Sequence, residues 1–417
     1  VTSHHKYKIL TDNDGNIVLP PEIAREYGIK PGVHFLIEDT ADGVVFHRPV
    51  SNLSKVYIEP TSQCNLTCRT CIRNIWDEPM GQMADTTFER IIRGIEELDN
   101  RPTIFFGGFG EPLSHPHIVD MVAQAKKTSP KVELITNGML LDQTMSHELI
   151  LAGLDTLWVS VDGAKPESYA DVRIGAALPE IFENITKYRY QYFMRKAVDP
   201  DIGLAFVAMK RNIADLPALL RMSTKLGISR YLVTNVLPYT KEMCDEVLYE
   251  RSMDSIVSQP CCWAPRLDLP VIDGNLYTTE ALIQLMSVHP RNFLTPGKLT
   301  DNIDYCPFVR KGSVAIAWNG NLSPCLPLMH QHASYMKNIH RVVKRYVVGN
   351  VMNQPLVDLW ESREYVDFRM QVDEFDFSPC TICASCQMAE SNEEDCYGNI
   401  FPTCGGCLWA QGFIRCP

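Results

Sequence analysis

Residues 64–71 read Cys64-Asn65-Leu66-Thr67-Cys68-Arg69-Thr70-Cys71, three cysteines spaced by three and then two residues, directly after the strand-like run Lys55-Val56-Tyr57-Ile58-Glu59. Thiolates this close in sequence hold one small soft-metal assembly from one loop, and iron–sulfur clusters are the commonest such cargo. A [4Fe–4S] cube offers one more iron than this loop has thiolates. One iron would stay open to an outside ligand, which points to a cluster that does chemistry as well as carrying electrons. The alternatives are a zinc loop or a structural disulfide. Zinc wants a fourth ligand in its own knuckle, and none lies nearby.

Outward from this loop, strands alternate with amphipathic helices. Phe88, Ile91, Ile92, Ile95 and Leu98 share one face of a helix over 86–98. Strands are expected at Thr103–Phe106, Val132–Thr136, Thr156–Val161, Ile202–Ala208 and Tyr231–Val236, with helices near 116–126, 144–152, 179–195 and 214–226. About six βα units in a row mean parallel strands with crossover helices, open or curled as a barrel. Sites in such folds form at the C-terminal strand ends, and the unusual residues fall there. The second strand runs into Phe106-Gly107-Gly108-Phe109-Gly110-Glu111-Pro112, where glycines let backbone carbonyls approach a ligand amine. Thr136-Asn137-Gly138 and Ser160-Val161-Asp162-Gly163 end the third and fourth strands, with Arg173 following. Asn137, Ser160 and Asp162 suit hydroxyl and carboxylate groups of a ligand, and Arg173 suits a carboxylate bidentately.

The cysteine spacing after a first strand, with the strand-end motifs in register, resembles the radical S-adenosylmethionine (SAM) superfamily from Lys55 to about Pro238. The resemblance implies a partial (β/α)6 TIM-like barrel, a [4Fe–4S] cluster on Cys64, Cys68 and Cys71, and SAM chelating the open iron. One electron would then cleave SAM to methionine and a 5′-deoxyadenosyl radical. It implies SAM contacts from Gly107, Gly108, Gly110 and Glu111 (amino group) and from Asn137, Ser160, Asp162 and Arg173. Thr70 departs from the aromatic that often lies beside the adenine.

Residues 1–50 read as a separate β-rich module: short strands at Tyr7–Leu10 and Ile17–Leu19 around Asp12-Asn13-Asp14-Gly15-Asn16, a helix from Pro21, the turn Lys30-Pro31-Gly32, and a hairpin over Val33–His47. This order resembles the AbrB/MazE swapped-hairpin fold, whose members dimerise and bind DNA. Here seven acidic residues outnumber five basic ones, so dimerisation or protein docking is favoured over DNA binding. Pro49–Ser54 is the linker, 51–240 the barrel and 241–305 a connecting, substrate-proximal region.

Fifteen cysteines are many for a chain without secretory features, and metal binding is their leading explanation. Nine lie between Cys306 and Cys416. The order Cys306, Gly320-x4-Cys325, Cys380-x2-Cys383-x2-Cys386, Cys396, Cys404-x2-Cys407 and Cys416 resembles the SPASM extension, which implies one or two auxiliary [4Fe–4S] clusters within 306–417. The usual intervals after CxxC are five and then three residues, against two and nine here. By chain order Cys380, Cys383, Cys386 and one late cysteine serve the distal cluster; Cys306, Cys325 and Cys396 serve the nearer one, with Cys261 or Cys262 or an open position. Paired zinc ribbons are the alternative for such CxxC units. His330, His332 and His340 are candidates for touching a cluster or substrate, with solvated or capping roles the favoured reading.

No apolar run reaches membrane-spanning length, and a net charge of −11 argues against nucleic acid as the main partner, so a cytoplasmic protein is expected. Over its full length, from CNLTCRTCIRNIW and FGGFGEPL to CPFVRKGSVAIAWNGNLSPCLPLMH and EEDCYGNIFPTCGGCLWAQGFIRCP, the chain resembles radical SAM maturases associated with tungsten-containing aldehyde:ferredoxin oxidoreductases. That resemblance implies a tungsten oxidoreductase or its pterin cofactor as client, with a ferredoxin- or flavodoxin-type electron donor. Two other readings stay open: a SPASM-type peptide-modifying enzyme, and a non-enzymatic iron–sulfur carrier fused to an AbrB-like regulator.

Overall fold

A computed structural model describes residues 10–26, 29, 37–40, 43–46, 51–228, 230–250, 267–288, 306–337, 339–381 and 386–417. The strand expected at residues 7–9, the Lys30-Pro31-Gly32 turn, Val33–Leu36, Cys261, Cys262 and Cys383 lie outside them. In the N-terminal module, β1 (Leu10–Thr11) pairs antiparallel with β2 (Ile17–Val18). The Asp12 carboxylate accepts from the N–H groups of Asp14 (2.9 Å) and Asn16 (2.8 Å), which closes the turn between them. Helix α1 (Pro21–Glu26) starts on a proline, whose missing N–H is harmless at that position. A hairpin of β3 (Ile37–Thr40) and β4 (Gly43–Phe46) follows.

From Lys55 the expected alternation appears: β5 (Lys55–Ile58), α2 (Asp85–Glu96), β6 (Thr103–Phe106), α3 (Ile118–Thr128), β7 (Val132–Thr136), α4 (Gln143–Ala152), β8 (Thr156–Ser160), α5 (Pro166–Val172), α6 (Leu178–Lys196), β9 (Asp201–Ala208), α7 (Leu216–Lys225), β10 (Arg230–Asn235), α8 (Lys241–Asp245), β11 (Leu267–Asp268) and α9 (Thr279–Val288). Strands β5 to β11 lie side by side in chain order, each pair parallel, as a one-directional barrel wall requires. Six of them follow the predicted βα units. The seven-residue helix α5 is an addition, opened by Pro166 in the loop after β8.

The period-two pleat divides the core. Val56, Ile58, Ile104 and Phe106 face the helices and pack with Phe88, Ile91 and Ile95 of α2. The intervening Tyr57, Phe105 and Trp158 point into the barrel, where they meet Phe308, Cys325 and Met329 of the C-terminal region. Part of that region therefore packs on the inner face of the barrel wall, while Leu356, Leu359 and Trp360 join the core on its helical side.

The C-terminal region comprises α10 (Pro307–Arg310), β12 (Ser313–Ile316), β13 (Asn321–Ser323), β14 (His332–Met336), β15 (Ile339–Val343), β16 (Gly349–Asn350), α11 (Leu356–Glu361) and α12 (Arg363–Glu374). β12 pairs in parallel with β5, and β13 and β16 follow antiparallel, so the barrel sheet continues into this region as ten strands. Gly320, at φ +83°, makes the β12–β13 turn that reverses direction. Helices α11 and α12 are separated by a break at Ser362, whose ψ of 138° is not helical.

The final residues return to the strand ends. The Asn235 side-chain amide donates to the carbonyls of Val271 (2.9 Å) and Phe413 (2.8 Å), the Arg415 N–H donates to Thr234 Oγ1 (2.8 Å), and the Tyr57 hydroxyl donates to the Pro417 backbone oxygen (2.7 Å). Among the described residues no helix is long and apolar enough to cross a membrane.

Candidate active site and auxiliary cysteine sites

A cavity of about 310 Å3 opens at the C-terminal ends of the parallel strands. Cys64, Cys68 and Cys71 all line it. Their loop is held by backbone bonds to the segment around α5: Arg69 N–H to Val172 O (2.9 Å) and Thr67 N–H to Ile174 O (3.3 Å). The Asn74 amide donates to Cys68 O (2.9 Å), and the Tyr239 hydroxyl to Arg69 O (2.8 Å). The cysteine loop is thus braced from three directions before any ligand arrives.

Burial pushes the thiols of Cys64 and Cys68 up, because a thiolate is poorly solvated there, and two guanidinium groups oppose it. Arg73 Nε donates to Cys71 Sγ at 3.2 Å, and its charge also acts on Cys64. Arg173 is the cation acting on Cys68. It is buried against Asp162, which accepts from Arg173 Nε (2.5 Å) and from the Val207 N–H (2.7 Å). Despite the burial, Asp162 and Cys68 hold the Arg173 guanidinium more firmly protonated than usual.

Six of the eight residues predicted to contact SAM line this cavity: Gly108, Gly110, Glu111, Asn137, Ser160 and Arg173. Two do not. Gly107 faces Phe105 and Ile135 instead, and Asp162 is fully buried with its oxygens engaged by Arg173 and Val207. Asp162 therefore positions Arg173 within the protein. The Glu111 carboxylate accepts from Leu113 N–H (3.0 Å), Thr136 Oγ1 (2.7 Å) and Asn137 N–H (2.7 Å), which fills most of its acceptor capacity and ties the second strand end to the third. Burial still raises its pKa. The Asn137 side chain donates to Asn65 Oδ1 (2.8 Å), linking the third strand end to the cysteine loop. A side chain at Gly110 would overlap the Thr61 carbonyl, and one at Gly108, at φ +133°, would press on Glu59.

The far wall comes from the C-terminal region: His332, Trp409, Ile414, Arg415 and Cys416. The Trp409 indole N–H donates to Cys416 Sγ (3.2 Å), and burial pushes that thiol up to about 11. Cys416, expected among the auxiliary ligands, sits on the same cavity as the 64–71 loop.

A second, smaller cavity is lined by Cys306, Cys325, Cys404 and Cys407. This corrects the grouping by chain order: Cys404 and Cys407, not Cys396, lie with Cys306 and Cys325. Cys306 precedes α10 and Cys325 follows β13, so the β12–β13 turn brings them together. The anchored return of residues 413–417 to the strand ends lays the 404–407 loop over them. Cys396 is exposed and acts electrostatically on the buried Cys380. His332, Leu237 and Trp409 line both cavities and form the partition between them. Burial lowers His332 to about 4, so its imidazole is neutral, with Nδ1 on the His330 carbonyl (3.0 Å).

His330 also departs from the expected solvated role. It is buried between two carboxylates, Nε2 2.9 Å from Glu59 and Nδ1 2.8 Å from Glu78, with the Trp76 ring 4.4 Å away. Burial opposes its charge, but the two carboxylates outweigh it and push the imidazole up to about 9. Glu59 also accepts from the Phe109 N–H (3.1 Å), so this bridge supports the glycine-rich wall of the main cavity. No local spacing signals it, since its residues are some 250 positions apart.

Comparisons with known proteins agree with this arrangement. Residues 58–193 match the radical SAM superfamily, and residues 306–387 match SPASM, an iron–sulfur cluster-binding domain. A Pyrococcus furiosus protein described as a tungsten-containing aldehyde ferredoxin oxidoreductase cofactor-modifying protein is 31% identical over 371 residues, spanning 87% of this chain and 96% of its own. The chain belongs to that family of radical SAM proteins. The AdoMet-dependent heme synthase of Methanosarcina barkeri is 25% identical over 73% of this chain and 81% of its own. Among solved structures, Streptococcus suis SuiB bound to S-adenosylmethionine superposes with a TM-score of 0.53 at 16% identity, covering 83% of this chain and 73% of its own, a likeness of fold. This radical SAM protein is an enzyme that uses a [4Fe–4S] cluster with SAM, and its SPASM domain binds auxiliary iron–sulfur clusters.

Proposed function

We propose that this radical SAM enzyme matures the tungstopterin cofactor of an aldehyde ferredoxin oxidoreductase, or the oxidoreductase that hosts it. The observation that carries the reading is one cavity lined at once by the Cys64/Cys68/Cys71 loop, the Gly108–Glu111 strand end and the C-terminal wall, in a chain 31% identical to a tungsten-cofactor-modifying protein over most of both lengths.

The donor set suits the cofactors. Cys64, Cys68 and Cys71 would hold the cube, with Arg73 and Arg173 balancing its negative charge. When bound, the reduced cluster and SAM supply a carbon-centred radical that abstracts hydrogen from the substrate. Around it, the backbone near Gly108 and Gly110 would bind the SAM amino group, Arg173 its carboxylate, and Asn137 and Ser160 the remaining polar groups. Cys306, Cys325, Cys404 and Cys407 would hold one auxiliary cluster, with Cys380, Cys383, Cys386 and Cys396 as the set for a second. The N-terminal module would serve as a dimerisation or client-docking unit, and a ferredoxin- or flavodoxin-type protein would deliver the electron.

The test is anaerobic reconstitution with SAM, a low-potential reductant and tungstopterin-loaded oxidoreductase, followed by mass analysis of pterin and polypeptide. 5′-Deoxyadenosine formed together with a mass change on the pterin or its host supports the proposal. The same nucleoside with both client components unaltered, or its undiminished formation by Cys68→Ala, counts against it. In that variant the auxiliary iron should remain.

A further inference from the structure

Arg341, on β15, is only 4% exposed, yet no carboxylate forms an ion pair with it among the described residues. Nη1 donates to the Ala389 carbonyl (3.0 Å), while Nε is buried with no hydrogen-bond partner among the described residues. A buried guanidinium left without a counter-charge is strongly disfavoured, because the interior solvates charge poorly. Burial disfavours its charge, and Cys380, Cys404 and Cys407 are the groups that would favour it once they carry the charge of thiolates. The side chain lines the same cavity as Cys306, Cys325, Cys404 and Cys407, and its guanidinium packs on Gly406, where a methyl group would overlap it. Through the Ala389 carbonyl it also touches the turn that Cys386 opens, since the Ala389 N–H bonds to Cys386 O at 3.0 Å. One fixed cation thus faces the four cysteines of the second cavity.

We propose that Arg341 is the counter-cation of the auxiliary cluster site formed by Cys306, Cys325, Cys404 and Cys407 and sets its reduction potential. The inference rests on the cysteine grouping proposed above. A cluster held by cysteinates is negatively charged, and reduction adds one further negative charge. A nearby fixed cation favours the reduced form and raises the potential, net charge and hydrogen bonding being among the factors that set it. The cation also accounts for the glycine at 406, because a side chain there would displace it. Arg73 and Arg173 serve the SAM-cluster loop, so that cluster provides an internal control.

The experiment uses the full-length holoenzyme, purified anaerobically, as wild type, Arg341→Met and Arg341→Lys. Iron is counted, and each cluster is titrated reductively with dithionite and followed by electron paramagnetic resonance. Arg341→Met should lower the reduced-to-oxidised ratio of that auxiliary cluster at a given potential by about tenfold, about 59 mV for a one-electron couple. Arg341→Lys should retain most of the wild-type value, and the SAM-cluster potential should stay put. Iron lost from Arg341→Met but retained by Arg341→Lys supports the same role, because charge is what the lysine preserves. Unchanged auxiliary potentials at full iron content overturn the inference, as do equal shifts of all the clusters or equal iron loss in both variants. A wild-type iron content of only about four per chain overturns the auxiliary-cluster grouping itself, and the inference with it.

Discussion

The buried bridge Glu59–His330–Glu78 offers a quantitative test of how the C-terminal region is fastened to the barrel. Raising an imidazole from its ordinary 6.5 to about 9 means that folding favours the protonated form. At about 1.4 kcal/mol for each pH unit, the bonus is about 3 kcal/mol. Below pH 6.5 the bonus is complete, because folded and unfolded chains both carry the proton. Between 6.5 and 9 only the folded chain keeps it, so stability falls, and above about 9 the bonus is gone. His330→Gln retains a hydrogen-bond donor but never carries the charge. It should be about 3 kcal/mol less stable than wild type at pH 6, and the gap should fall below about 1 kcal/mol at pH 10.

The assay is paired anaerobic denaturant unfolding of the two holoenzymes across this pH range, with amide exchange at Phe109 as the local readout, since its N–H is bonded to Glu59. In the variant that amide should exchange faster at pH 6 and at nearly the wild-type rate at pH 10. A stability gap of the same size at both ends of the range would refute the reasoning, because shape rather than charge would then be what His330 contributes.

Other perturbations separate the remaining elements of the site. Gly110→Ala places a methyl group on the Thr61 carbonyl and should weaken SAM binding by at least about tenfold, roughly 1.4 kcal/mol, whereas Gly274→Ala, which meets open space, should leave SAM affinity measured by equilibrium dialysis unchanged. Asp162→Asn leaves the Arg173 guanidinium buried without its carboxylate and should cost about 3–5 kcal/mol in denaturant unfolding, with SAM cleavage falling as the guanidinium shifts. Cys404→Ala should remove the auxiliary cluster shared with Cys306 and Cys325, while Cys396→Ala should spare it and affect the Cys380 site; iron counts and spectra of the two variants, and of each combined with Cys306→Ala, distinguish the grouping.

The parts of this molecule legible in the sequence are those governed by local rules. The apolar run Val56-Tyr57-Ile58, the helical stripe of Phe88 to Ile95 and the glycines after Phe106 each announce themselves within a few residues, and the barrel and its cavity follow from them. What was not legible depends on distant segments meeting. The cysteines of the second cavity come from residues 306, 325, 404 and 407, and chain order pairs them wrongly because the last residues double back to Thr234 and Asn235. His330 reads as an ordinary polar residue until the C-terminal region enters the barrel and two carboxylates close on it. Burial and charge compensation, not spacing, identify such residues. The glycine-rich wall leans on Glu59 and thereby on His330 of the C-terminal region, while the partition residues His332 and Trp409 face both cavities. The barrel's cavity is therefore completed by the region that carries the later cysteines, and a barrel severed from residues 306–417 would lose a wall of that cavity along with those cysteines.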